Sequence, residues 1–414
     1  MSIRRWRRAS AGRAAIPPSR LPRAYLGAAL LAGLYGWAVF AMSFRHDGVI
    51  GPHYNAPGTD YMVYYEAARL MLAGKVGLLA DGAAFTARLN AGFASWLTAP
   101  LPPHPWVYPP TFLLLLLPFA ALPFLASYAA FLAATFAVAV AGVCRVAREG
   151  GERILWTGAL LLAPATAIDV IDGQNGLLTN GLLLGGFGLL RASPVAAGLV
   201  LGVVTYKPQL TLMVPVALLA LRAWRALIAA GLMAVLMVAA SAAVLGVDIW
   251  RAWFAWMLGT APGYAEWVQW GRLWGLSLFS CATLHGASPA LAQAVQLGGT
   301  LLAAVATYAT FRRPVGFPRQ LMVLLAATVL AAPHLSPYDL VLLASTAVLL
   351  WRTEPALDSA PGLRLLALLL WWAPFFGRVG PVNSSDAVPL LAAVTIVAVL
   401  RLARAQRRVG VAPA

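Results

Sequence analysis

Apolar residues run through this chain in long, nearly unbroken stretches, divided by short polar clusters and almost nowhere arranged in strict alternation. A helical run of about 20 apolar residues covers the roughly 30 Å of a bilayer's hydrocarbon. Without long alternating segments a β-barrel is a poor fit. Backbone groups in lipid must then be satisfied within helices. The pattern predicts an all-α polytopic membrane protein.

The polar clusters set the threading. Basic residues prefer the cytoplasmic ends of spans. The amino-terminal "MSIRRWRRASAGRAAIPPSRLPR", "CRVAREGGER" (144–153), Arg191, "RAWR" (222–225), "FRRPVGFPR" (311–319), "WRTEPALDSAPGLR" (351–364) and "RLARAQRR" (401–408) all fall on one side if the first span is Ala24–Phe44 and a long external loop, residues 45–107, follows. The threading takes about twelve crossings and returns the carboxyl end to the cytoplasm. Residues 1–23 are then a basic tail, 24–404 one integral membrane domain and 405–414 a short cytoplasmic end. A cleaved signal peptide does not suit the long basic start. Two regions resist straight spans. "YPPTFLLLLLPFAALP" reads as a broken or re-entrant segment ahead of a span at Phe124–Val143, and "GLSLFSCATL" as an interfacial piece ahead of a span at Pro289–Thr310. The short spans 194–206 and 208–221 meet at a lysine–proline step, a pattern that marks cavities.

Composition agrees and sharpens the question. The chain is 61% hydrophobic and 11% charged, with 30 Lys and Arg against 14 Asp and Glu. The net charge of +16 lies in loops between spans, not in a nucleic-acid-binding patch. The threading puts 22 of the basic residues inside and 8 outside, but 10 of the acids outside and four inside. Cys144 and Cys281 lie toward opposite faces and form no disulfide framework.

Acids, amides, a histidine and a lysine therefore gather on the outer rim. Asp60, in "GTDYMVYYEAARL", precedes a helix on which Tyr61, Tyr64, Tyr65, Ala68 and Leu72 share a face suited to the membrane–water boundary. Asp60 either caps that helix, a task Thr59 also suits, or is a general base for an acceptor hydroxyl. In "DVIDGQN" (169–175), Asp172 or Asn175 caps the next helix across the Gly173 turn. Alternatively, Gln174 and Asn175 present amide donors and acceptors to sugar hydroxyls or phosphate. Lys207, one of two lysines, either snorkels to the interface or neutralises a phosphate, with Arg272 and Arg378 as weaker candidates. In "PHLSPYD" (333–339), Asp339 fits a helix N-cap or an acceptor contact, and His334 a phosphate contact, a proton donor or a structural role. Trp250, Trp253, Trp256, Trp267, Trp270 and Trp274 form an aromatic belt or a stacking surface for a sugar or lipid. No Cys/His metal spacing, P-loop or nucleophile elbow is present.

Five stretches, "TDYMVYYEAARLMLAGK", "YPPTFLLLLLPFAALP", "DGQNGLLTNGLLLGG", "GLVLGVVTYKPQLTLMVPVALL" and "SPYDLVLL", together resemble, in that order, the glycosyltransferase family 87 group, over about residues 24–350. The resemblance implies a GT-C type membrane fold with amphipathic helices in the first external loop. It implies transfer of a hexose, mannose first among the candidates, from a polyprenyl-phosphate sugar to a lipid or glycan acceptor outside the plasma membrane. Asp60 inherits the role of catalytic base in an inverting reaction. Lys207, with His334, Arg272 and Arg378, inherits the donor phosphate. Tyr64, Tyr65, Asp172, Gln174, Asn175 and Asp339 are expected around the sugar or acceptor. The family's paired acid is absent, since Tyr61 follows Asp60, so no cofactor is expected, although a divalent ion is not excluded. The other readings are a secondary transporter for a small solute or lipid, and a non-catalytic subunit of envelope assembly.

Overall fold

The computed structural model describes residues 23–43, 57–97, 99–147, 149–271, 275–358, 360–377 and 386–408. Arg272, Trp274, Arg378, most of the basic tail and the last six residues fall outside them. Within the described residues every regular element is helical.

The first helix, α1 (Arg23–Ser43), matches the first expected span within a residue at each end. The external-loop region forms α2 (Thr59–Leu72), a 3₁₀ turn at Val76–Ala80 and α3 (Gly82–Gly92), which Asp81 caps by accepting from Ala84 N at 2.9 Å. The proline-rich segment forms α4 (Pro110–Ala120), which begins at a proline and ends just after Pro118. It leads into α5 (Phe124–Val146). Next come α6 (Gly150–Leu162) and α7 (Pro164–Asp172), bent by 57° at the intervening Ala163–Pro164 step.

α8 (Gly176–Leu189) packs along α5, and α9 (Pro194–Val203) lies between α8 and α11 (Trp224–Leu245). Between α9 and α10 (Met213–Leu221) the chain turns through 3₁₀ steps on either side of Lys207, because Pro208 has no N–H to continue the ladder. The tryptophan-rich region forms α12 (Asp248–Met257) and α13 (Tyr264–Gly271). α14 (Leu278–Leu284) precedes α15 (Pro289–Phe311), each capped by a serine hydroxyl, Ser277 and Ser288. α16 (Phe317–Ala331) and α17 (Val341–Thr353) are buried along almost their whole length and form the centre of the larger core. α18 (Pro361–Trp372) and α19 (Ala387–Arg408) close the bundle, and α19 runs on through the basic cluster at its carboxyl end.

Among the described residues four helices, α5, α11, α15 and most of α19, are long and apolar enough to cross a membrane; the bent α6–α7 pair makes up to five. Several others, among them α4, α8 and α16, are apolar but shorter, and a straight crossing needs about 20 residues. The spans expected at Phe124–Val143 and Pro289–Thr310 are found, extended to Val146 and Phe311. Outward faces such as Leu232, Val235 and Leu236 on α11, or Leu301, Leu302 and Val305 on α15, are exposed aliphatic stripes. In water such contiguous apolar area would aggregate; against lipid it is the expected surface.

A second, smaller core holds the site. It is built from α2, α4 and the start of α5, with Trp106, Tyr108 and Tyr206. Here the structure corrects one expectation: α2 is not a boundary helix with one greasy side. Tyr61, Met62, Val63, Tyr64, Tyr65 and Ala67 are all buried, whereas Leu72 is exposed.

Candidate functional site

The site begins where α2 meets the turn after α7. The N-cap of α2 is Gly58, at φ 78°, and no side chain caps it, so Asp60 is not the cap. Gly58 N instead donates to Ile171 O at 2.7 Å, tying the start of α2 to the end of α7. α7 ends at Gly173, with φ 72°, and a Cβ there would lie 2.5 Å from that of Tyr61. Only glycine combines that left-handed backbone with so close an approach. A Cβ on Gly176 would sit 2.3 Å from the Tyr338 carbonyl oxygen. The two glycines thus press Gln174 and Asn175 between α2 on one side and the Tyr338–Asp339 turn on the other.

The first amides of α8 are not capped by Asp172 or by the Asn175 side chain. Asp169, one turn back in α7, accepts from Gly176 N at 2.7 Å and Leu177 N at 3.3 Å. That leaves both amide side chains for other partners, and they form a continuous chain. Gln174 Nε2 donates to Asp60 Oδ2 at 2.6 Å. Gln174 Oε1 accepts from the hydroxyls of Tyr64 and of Tyr108, the latter at 3.1 Å. The two phenol oxygens are 2.7 Å apart. Asn175 Nδ2 donates to Tyr64 Oη at 3.1 Å, while Asn175 Oδ1 accepts from Lys207 Nζ at 2.9 Å. Lys207 Nζ then donates to Asp339 Oδ1 at 2.5 Å. Burial raises the Tyr64 and Tyr108 phenols well into the protonated range, so both stay donors.

Lys207 does not snorkel. It is 2% exposed, its counter-ion Asp339 1%, and the aromatic faces of Tyr338 and Tyr108 flank the ammonium at 4.9 and 5.9 Å. Asp339 is not an N-cap either. Ser336 holds that position, and Asp339, three residues on, completes a capping box by accepting from Ser336 N at 3.2 Å. One carboxylate thus both ends the α16–α17 turn and neutralises the lysine.

Asp60 differs from these enclosed groups. Its side chain is 26% exposed, and His104 Nε2 lies 3.6 Å from Oδ1. The other ring nitrogen, Nδ1, is 2.8 Å from Pro102 O. An acceptor at each nitrogen favours the doubly protonated ring. Burial opposes that charge, but the Asp60 carboxylate, the Pro102 carbonyl and the charge of Asp172 outweigh it and hold the imidazole above its usual pKa. His104 stands outside any periodic or charged motif, but its immediate sequence carries a signal. "PPHPW" repeats the proline-flanked histidine of "APHLSP".

The remaining expected residues divide. Asp172 stands at the end of α7, half-buried, beside this pair. His334 is half-buried, packs against Trp267 with centroids 5.3 Å apart and the rings tilted by 38°, and sits near Lys207 and Asp339. Burial pulls it below its usual pKa, Asp339 opposing and Lys207 reinforcing, so it is a neutral donor or acceptor at pH 7. Tyr65 points elsewhere: its hydroxyl donates to Leu122 O at 3.0 Å and its ring packs on Phe93 and Phe124. Arg272 and Arg378 lie outside the described residues. Of the tryptophans, Trp253 donates to Val107 O at 3.3 Å and Trp256 packs on Gly82, so both brace the segment carrying His104.

Among the described residues no three His, Cys, Asp or Glu side chains converge on a point that would hold a metal ion. Comparison with curated proteins and with solved structures gives no match. One family model does match, over residues 106–337: glycosyltransferase family 87. That span takes in Gln174, Asn175, Lys207 and His334, and stops short of Asp60, His104 and Asp339 on either side.

Proposed function

From its membership of glycosyltransferase family 87, we propose that this chain transfers a hexose, mannose in the first instance, from a polyprenyl-phosphate sugar to a lipid or glycan acceptor. In this reading the Asp60 end of the bundle faces the outside of the plasma membrane, both termini lie inside, and about twelve crossings connect them. The observation that carries it is the contrast between two carboxylates on one hydrogen-bonded chain: Asp339 enclosed by its lysine, Asp60 open to solvent.

Asp60 is the general base. The acceptor hydroxyl gives its proton to the carboxylate as its oxygen bonds to the anomeric carbon from the face opposite the phosphate. The bond from that carbon to the phosphate oxygen breaks, its electron pair leaves with the polyprenyl phosphate, and the configuration inverts. Gln174 holds one carboxylate oxygen, and the His104 ring, when protonated, lies beside the other and favours its ionised form. Once Asp60 is protonated, its hold on the imidazolium weakens, so the histidine loses a proton to water and accepts the one from Asp60.

The leaving phosphate needs charge stabilisation more than a proton. An ammonium has three N–H donors. Asn175 and Asp339 take two of those on Lys207, and the third is assigned to the donor phosphate, which reaches the buried ammonium only as the Tyr108 or Tyr338 ring beside it moves aside, with a hydrogen bond from neutral His334 and with Arg272 and Arg378 contributing. Tyr64, Asp172, Gln174, Asn175 and Asp339 shape the sugar and acceptor side; Tyr65 is left to brace α2. The test is to incubate membranes with and without the protein with radiolabelled polyprenyl-phosphate sugars and identify the labelled product. Solute uptake by proteoliposomes, with no label transferred from any such donor, would replace this reading with a transporter.

A further inference from the structure

The end of the bundle away from the polar chain holds a cavity of about 400 Å³ between α1, α6, α17 and α18. Its α17 residues, Ala347, Val348 and Trp351, follow Asp339 by 8 to 12 positions, roughly 12–18 Å along a helix. Two indole hydrogen bonds fix its walls, Trp37 Nε1 to Leu161 O at 2.9 Å and Trp371 Nε1 to Ala29 O at 3.1 Å. The lining is apolar except for the Tyr25 hydroxyl and Arg364, whose Nε donates to Leu357 O at 2.9 Å. Gly158 leaves it open on the α6 side: a Cβ there would meet nothing within 4 Å.

Charge supplies the second observation. All four helices bring an arginine to within two residues of the lining: Arg23 before Tyr25, Arg153 before Ile154, Arg352 after Trp351, and Arg364 itself. Arg352 Nε is buried with no hydrogen-bond partner among the described residues. Acids at this end offset part of this charge, Glu149 and Glu152 at the start of α6 and Asp358 after the Leu357 that Arg364 binds, but Glu354 is committed to Arg319 at 2.7 Å, so the four arginines outnumber the acids near them. We propose that this groove binds an anionic glycerophospholipid of the surrounding bilayer, one acyl chain in the cavity and the phosphate among the arginines. The chain's own residues 1–22 are a poor occupant, since they carry six arginines and no acid. The proposal does not depend on the transferase reading.

The test uses full-length protein in neutral detergent, stripped of lipid and offered phosphatidylglycerol or phosphatidylcholine with identical acyl chains, with bound lipid counted by native mass spectrometry. One phosphatidylglycerol per chain is expected, held about fivefold tighter than phosphatidylcholine. Arg364→Gln should erase that preference, and Gly158→Leu should abolish binding while the helical circular dichroism is unchanged. In wild-type protein, phosphatidylglycerol with a diazirine on its acyl chain should label the peptide containing residues 154–162, a readout needing no variant. Equal affinity for the two lipids, undiminished binding by Gly158→Leu, labelling confined to other helices, or a dimer that carries no lipid would each overturn the proposal.

Discussion

Gln174 faces Asp60 amide to carboxylate, Nε2 to Oδ2 at 2.6 Å, and this contact fixes the Gln174 amide at one end of the polar chain as Lys207 fixes Asn175 at the other. Reversing the Gln174 amide would put its oxygen against a carboxylate, and reversing Asn175 would put an NH₂ against an ammonium. The polar chain has a single consistent polarity, running from an open carboxylate to a closed ion pair.

Asp60→Asn tests the open end. Asparagine keeps an oxygen for Gln174, so the fold should hold, while transfer of label from a polyprenyl-phosphate sugar should fall about 10²–10⁴-fold. Turnover near that of the wild type would take Asp60 out of the mechanism.

Gln174→Glu puts a second carboxylate against the first. Like charges at this distance disfavour ionisation. The acid limb of the pH–rate profile should move to higher pH, and by more than in Gln174→Leu, which only removes a hydrogen bond from the carboxylate.

The His104 pair makes a signed prediction about stability. Its pKa is raised in the folded protein, so its stabilising contribution is present in full below the unfolded-state value near 6.5 and is lost as pH climbs through the higher folded value. Thermal unfolding in detergent should show His104→Gln less stable than wild type at pH 5.5 and nearly equal to it at pH 9. A deficit independent of pH would mean that the ring acts by packing alone.

Lys207→Met strands Asp339 as a buried charge and should cost about 3–5 kcal/mol. Adding Asp339→Asn should restore much of that stability without restoring transfer. Denaturation of the single and double variants, with activity measured in parallel, separates the two roles.

Gly173→Ala is expected to cost on the order of 1–3 kcal/mol for its left-handed backbone alone. The clash with Tyr61 adds to it, moving α2 and with it Asp60. A Tm unchanged from wild type would show that the turn relaxes freely.

Much of this was legible in the sequence because uninterrupted apolar runs define helices to within a residue or a few, as at α1, α5 and α15. Asp60, Gln174, Asn175, Lys207 and Asp339 stood out for a related reason, being scarce polar residues between greasy segments. What could not be read was which of them pair. Capping preferences pointed at Asp172, Asn175 and Asp339, but the caps are Asp169 and Ser336, each chosen by the turn around it. The α2 tyrosines share a helical face by spacing, yet Tyr64 turns to the site and Tyr65 to Leu122, because α2 is enclosed on nearly all sides. His104 lay in a proline-rich stretch with no periodicity, and its partner is set only by tertiary contact.

The wide separation of Lys207 from Asp339 bears on biosynthesis. Their bond spans 132 positions, so at about 5–20 residues per second the ribosome delivers the anion on the order of 10 s after the cation. During that interval the nascent chain carries an ammonium destined for an almost dry interior and lacks the group that will neutralise it. The turn ahead of α17 therefore works as a late latch. A protein halted before it keeps its lysine in water or headgroups, and the first half of the bundle stays unsealed until the last third is made.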